Sequence, residues 1–315
     1  MTETVTARRV LRVVGTLALL AVVAWWVDVD AVLKTLLEAA VAPLGFALLV
    51  SVPLALLLAA RWCFTARRMG IDLPVGVAAR EYYISILINQ VVPGGVVGDV
   101  GRAVHAGRRN PEARGAAARS VVLERVSGQI SLWLVVLVGL VVWGAQAGVR
   151  VALVVVAVVF TVVLLATLFV RIPAVARGRV GKLWSLGVAE AREAFVHRGA
   201  WVTQLGLSLL SVAVLVVMYA ACVEAVGATL RVSQLVFIAP TLLALTTLPL
   251  SVGGWGVREA ASALLFEIAG LDPAAGVAAS AAFGAVNLVA ALPGVWFWAR
   301  RSAPPNVEGD DAAEA

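Results

Sequence analysis

Apolar blocks recur along this chain at about the length of a membrane crossing. Uncharged cores run Leu17 to Val27, Val41 to Ala60, Ile130 to Val149, Val151 to Val170, Trp201 to Val223 and Gly276 to Ala299. Several reach roughly 18 to 24 residues, enough for a helix at 1.5 Å per residue to span a hydrocarbon layer of about 30 Å. The pattern predicts six full transmembrane helices in an all-α membrane protein. No block ends in the small-residue cleavage site of a signal peptide, so the first is expected to remain as an anchor.

Composition agrees. Of 315 residues 62% are hydrophobic and only 14% charged, against about 25% charged in soluble domains. The net charge of +6 does not point to nucleic acid, because the basic residues sit in short clusters between apolar blocks. Arg8, Arg9 and Arg12 precede the first block, and Arg61, Arg67, Arg68 and Arg80 follow the second. Arg102, Arg108, Arg109, Arg114 and Arg119 form the next group. Arg171, Arg177, Arg179, Lys182, Arg192 and Arg198 lie in a central loop, and Arg300 and Arg301 close the last helix. Only Lys34, Arg150 and Arg231 fall in the alternate loops. That asymmetry puts both termini in the cytoplasm of a multi-pass plasma-membrane protein. Residues 1–9 then form a cytoplasmic tail, 10–301 the membrane domain, and the Pro- and acid-rich 302–315 a disordered cytoplasmic tail.

Two further apolar blocks fit this topology only if they turn back. Glu81 to Ala103 has basic loops at both ends, and its apolar run Tyr83 to Val92 reaches half a bilayer before Pro93, Gly94 and Gly95. Val232 to Leu271 repeats this from the opposite face: a leg Leu235 to Leu248, a break from Pro249 through Gly253 and Gly254 to Gly256, and a leg Val257 to Ala269. Proline removes a donor and glycine permits the reversal. Both read as re-entrant hairpins, which survive at depth only where protein or water surrounds them.

The breaks also resemble each other. Pro93, Gly98 and Arg102 recur as Pro249, Gly254 and Arg258, each 156 residues on, and Gly128 recurs as Gly284. Gly70, Leu73 and Val75 recur as Gly227, Leu230 and Val232, 157 residues on. Each half, about 10–145 and 149–301, reads as two helices, a hairpin and a helix. Three crossings per half make the second half inverted, the arrangement of many secondary transporters.

Ionisable residues at membrane depth cost roughly 2.5–3.5 kcal/mol or more each, so they must pair or line a cavity. They are Asp99, Arg102, Glu124, Arg125, Arg258 and Glu259, with Glu81 and Glu267 near the edges. One reading has Arg102 and Arg258 bind a phosphate headgroup from alternate faces beside the positive helix ends. Asp99, Glu124 and Glu259 then neutralise the arginines when empty, or carry coupling protons. The other makes them structural ion pairs, such as Asp99 with Arg102. Glu124 and Arg125 have no match in the second half, and as neighbours they are expected to diverge, one toward the hairpin and one snorkelling. Asn89 and Gln90 are placed to cap freed carbonyls.

Weaker signals add little. Gly95-x-x-Gly98-x-x-Gly101 lacks the strand and lysine of a nucleotide loop. Cys63 and Cys222 stand apart, with no disulfide or metal set, and no cofactor is implied. His105 and His197 read as solvated loop residues, and Lys182 to Arg198 as an amphipathic segment on the inner leaflet.

The run Asn89-Gln-Val-Val-Pro93-Gly-Gly-Val-Val-Gly98-Asp99-Val-Gly-Arg102, then Glu124-Arg125, then Pro249-x3-Gly253-Gly254-x-Gly256-x-Arg258-Glu259, resembles the lysylphosphatidylglycerol synthetase transmembrane-region family of flippase-like proteins. The resemblance spans about residues 10–300. It implies a role in moving aminoacylated phospholipids, or in polyprenyl-linked sugar pathways beside a glycosyltransferase. Asn89, Pro93, Asp99, Arg102, Glu124, Arg125, Gly254, Arg258 and Glu259 fall on its motifs. Neither a soluble aminoacyl-transfer domain nor a glycosyltransferase domain is read in the sequence, so the resemblance names no lipid and implies no synthesis of one; the expectation is a protein that is not an enzyme. The leading expectation is a lipid translocase for an anionic phospholipid or polyprenyl-linked headgroup, with Arg102, Arg258 and Asn89 as substrate-binding residues. The alternatives are an intramembrane lipid-phosphate phosphatase using Ser251 and Glu259, and an accessory subunit for a separate glycosyl- or aminoacyl-transferase.

Overall fold

A computed structural model describes residues 27–92, 96–147, 199–247 and 253–301, with a few isolated positions outside these ranges. Every regular element among the described residues is helical. A short helix α1 (Val29–Leu37) starts at Asp28, whose carboxylate accepts from the amides of Asp30 and Ala31, a side-chain N-cap. The long α2 (Val41–Arg68) follows, then α3 (Val75–Val91) and α4 (Val97–Arg109). After one 3₁₀ turn comes α5 (Arg114–Ala147). The second series is α6 (Ala200–Ala225), α7 (Val232–Thr246), α8 (Val257–Ile268), α9 (Pro273–Ala291) and α10 (Pro293–Arg301).

Four spans are long and apolar enough to cross a membrane: 41–68, 111–144, 200–225 and 273–300. The last is the run α9–α10, jointed at Leu292 because Pro293 has no amide to donate. Of the six expected spans, Leu17 to Val27 is described only in part and Val151 to Val170 lies outside the described residues. So do the tails 1–9 and 302–315, His197, and nearly all of the Lys182 to Arg198 segment. The surface of the spans is apolar: Leu49, Val141 and Trp201 are all exposed, as residues facing lipid must be.

The two series match element by element at the turns as well as in order. After α2, Gly70 adopts φ +73° while Ile71 N donates to Ala66 O; after α6, Gly227 adopts φ +74° while Ala228 N donates to Val223 O. Both are left-handed glycine stops that satisfy the last carbonyls of a helix. Each is followed five residues later by the next helix start, at Val75 and Val232. The recurrence read at those positions is therefore a recurrence of one structural turn.

The legs of the broken segments are short: 17 and 13 residues for α3 and α4, 15 and 12 for α7 and α8. The first leg is longer than its apolar run suggests, starting at Val75 rather than Tyr83. Ala78, Glu81 and Tyr82 are buried on it, so packing, not hydropathy alone, sets its length. Trp62, Ile71, Leu73, Tyr82, Ala106 and Val121 form a core around the first hairpin. Phe237, Leu242, Phe266 and Phe283 join Met218, Tyr219 and Trp143 in a larger core around the second.

Candidate functional site

The first hairpin closes because Gly98 lets α4 press against α3. A Cβ on Gly98 would collide with the Ser85 backbone, its carbonyl oxygen first and its Cα at 2.7 Å. The Gly98 amide donates to Asn89 Oδ1 at 2.8 Å, and Asn89 Nδ2 donates to Asp99 Oδ2 at 3.3 Å. Asn89 thus caps a freed amide at the start of α4, not the freed carbonyls expected of it.

Behind this cap lies a buried charge cluster. Arg102 is 1% exposed, and its Nη2 donates to Asp99 Oδ1 at 2.7 Å and to Glu124 Oε2 at 3.3 Å. Its guanidinium carbon sits 3.9 Å from the Tyr82 ring centre and 4.8 Å from that of Trp62, a double cation–π contact. Glu124, fully buried, accepts from both Nε and Nη2 of Arg61. Arg125 Nη2 donates to Asp99 Oδ1 at 2.8 Å.

Three expectations need correction here. Arg61, counted among the loop cations, is buried inside α2 and belongs to the site. Arg125 does not snorkel away: it and Glu124, neighbours on α5, both reach the hairpin. Long side chains can bring adjacent helical residues onto neighbouring groups despite their diverging Cβ directions. His105 is not a solvated loop residue; it lies on α4, its Nε2 3.5 Å from Glu81, which Arg80 also approaches at 3.4 Å.

The second hairpin carries a smaller version. Arg258 and Glu259, each 3% exposed, pair directly, Nη2 to Oε1 at 2.9 Å. Ser280 joins them, accepting from Arg258 Nε and donating to Glu259 Oε1, both at 2.9 Å. Glu259 Oε2 accepts from the Gly256 amide at 2.7 Å, so the start of α8 is closed by its own third residue. Arg258 stacks 4.9 Å from the Trp255 ring centre. Ser280 stands 156 residues after Glu124 and contacts Arg258 much as Glu124 contacts Arg102. Glu124 therefore has a counterpart after all, missed because a serine does not look like a glutamate.

Gly128 and Gly284 explain their own recurrence. A Cβ at Gly128 would meet the Arg61 guanidinium at 2.7 Å; one at Gly284 would strike Arg258 Nη2, with the Trp255 ring at 2.8 Å. Each leaves room for a buried arginine. The second break meets the first hairpin: a Cβ on Gly253, at φ +57°, would lie 2.7 Å from Gln90 O at the end of α3. Gly254 and Gly256 also need positive φ, +83° and +86°. Pro93, Gly94, Gly95, Pro249 and Ser251 lie outside the described residues.

Among the described residues no three His, Cys, Asp or Glu side chains gather to hold a metal ion. Cys63 and Cys222 are free and buried.

Helices of membrane-crossing length and apolar outer surfaces define a multi-pass helical membrane protein. Two glycine-packed helix pairs, α3–α4 and α7–α8, bring buried guanidinium groups into its interior. The chain belongs to the family of the lysylphosphatidylglycerol synthase TM region, whose family model matches residues 12–294. No curated protein matches the chain.

Proposed function

We propose that the protein is a flippase-like lipid translocase, moving an anionic phospholipid or lipid-linked headgroup between leaflets of the plasma membrane. In this reading both termini are cytoplasmic, α3–α4 and α7–α8 are re-entrant from opposite faces, and the halves are an inverted repeat. Membership of a lipid-related membrane family supports the substrate class. The observation that carries the reading is the pair of buried arginines, Arg102 and Arg258, one on each returning leg, with Gly253 of the second break against the end of α3. A guanidinium is the side chain best suited to phosphate. Asn89 completes the first binding position, while Asp99, Glu124, Arg125 and Glu259 balance charge or serve coupling. The protein moves lipid without covalent chemistry, alone or beside a separate glycosyl- or aminoacyl-transferase. The phosphatase alternative draws no support from Glu259, whose oxygens already accept from Arg258, Ser280 and Gly256.

The test is reconstitution into vesicles holding fluorescent phosphatidylglycerol in both leaflets, with a membrane-impermeant quencher outside. The protein is expected to raise the quenched fraction from about half towards completion, and Arg102→Gln and Arg258→Gln to slow it. Lipids, including polyprenyl phosphates, that stay on their starting leaflet overturn the proposal.

A further inference from the structure

Asp99 accepts more hydrogen bonds at one atom than that atom can satisfy. Its Oδ1 faces Ser85 Oγ at 3.1 Å, Arg102 Nε at 3.2 Å, Arg102 Nη2 at 2.7 Å and Arg125 Nη2 at 2.8 Å. Among the described residues its Oδ2 has only Asn89 Nδ2, at 3.3 Å. An oxygen offers two lone pairs, and a carboxylate has two oxygens to spread over its donors. Donors from α3, α4 and α5 therefore converge on a point better filled by a larger oxoanion.

Charge points the same way. Arg61, Arg102 and Arg125 face Asp99 and Glu124, three cations against two anions, leaving one positive charge in a largely buried cluster. Arg102 Nη1 is buried with no hydrogen-bond partner among the described residues. The cluster has an open side: the Arg125 side chain is 46% exposed while those of Arg102 and Glu124 are sealed. The second hairpin shares the crowding, since Glu259 Oε1 takes three donors and Oε2 one, but it differs in charge and access: Arg258 and Glu259 balance one for one, and both are buried.

We propose that Asp99 is a displaceable internal ligand, holding the Arg102–Arg125 socket until a singly charged phosphodiester headgroup enters past Arg125 and takes its place. The proposal rests on the translocase reading and makes the two hairpins unequal: the first captures the anion. A phosphodiester carries one negative charge, which cancels the surplus with Asp99 still nearby. A phosphomonoester, with roughly −1.5 to −2 at neutral pH, overshoots it.

The test is equilibrium binding of labelled phosphatidylglycerol and phosphatidic acid to the purified full chain in a phosphatidylcholine background. The wild type is expected to prefer phosphatidylglycerol. Asp99→Asn, which removes the competitor and raises the surplus to two charges, is expected to bind phosphatidylglycerol about tenfold tighter and phosphatidic acid tighter still. A purely structural Asp99 predicts weaker binding of both, and either weakening or no change overturns the proposal. Arg125→Gln, which keeps the Asp99–Arg102 pair, serves if Asp99→Asn fails to fold; it is expected to weaken phosphatidylglycerol binding about tenfold, and unchanged binding overturns the proposal. A wild type that moves labelled lipid while Asp99→Asn gains no affinity overturns the internal ligand alone. A gain in affinity with no movement by the wild type supports the socket and removes the translocase reading.

Discussion

Replacing Glu124 with Gln keeps the size of the side chain and removes one charge from the centre of the first cluster. Glu124 is fully buried and is the shared acceptor for Arg61 and Arg102. Its loss leaves three guanidinium groups facing Asp99 alone. Breaking a buried ion pair by removing one partner costs about 3–5 kcal/mol, since the remaining charge stays buried without compensation. At 2–4 °C per kcal/mol for a chain of this size, the melting temperature should fall by roughly 10 °C. The protein supplies its own reporter. Cys63 and Cys222 are buried, 2% and 0% exposed, so a dye that fluoresces on reacting with thiols lights up on unfolding. Cys63 lies two residues from Arg61 and reads the affected region directly. The companion double variant, Arg61→Met with Glu124→Gln, removes one charge of each sign and should recover most of the loss, because the guanidinium that would stay buried without a partner is gone too. A fall of less than about 2 °C in Glu124→Gln, or a double variant worse than the single, would refute the view that Arg61 and Glu124 compensate each other.

Two further substitutions separate packing from function. Gly98→Val places atoms against the Ser85 backbone, which cannot move as a flexible side chain can; overpacking of this kind costs about 1–3 kcal/mol, read as an earlier thiol-dye transition. Gly284→Ala strikes the end of Arg258 and the edge of the Trp255 ring rather than backbone, so it should lower lipid movement severalfold with a melting shift of only about 2–4 °C, near 1 kcal/mol. Unchanged movement would show that the position of Arg258 is immaterial.

The sequence by itself determined the class of protein and the placing of its special residues. Uncharged blocks long enough to span lipid admit few folds, because a bilayer forces backbone groups to bond within a helix. The Pro/Gly breaks, the 156-residue recurrence and the acid–base motifs were likewise legible, since proline, glycine and buried charge each carry a strong physical constraint. Tertiary structure alone decided the partners. Arg61 sits among basic residues of the kind that flank any membrane helix, and nothing in its neighbours says that it turns inward to Glu124. Ser280 replaces Glu124 in the second half with no likeness of residue type, because a hydroxyl can bridge Arg258 and Glu259 where the first half needs a second carboxylate. The contact of Gly253 with Gln90 joins positions 163 residues apart. Local pattern reports which groups must find a partner; which partner they find depends on distances that exist only once the helices have packed.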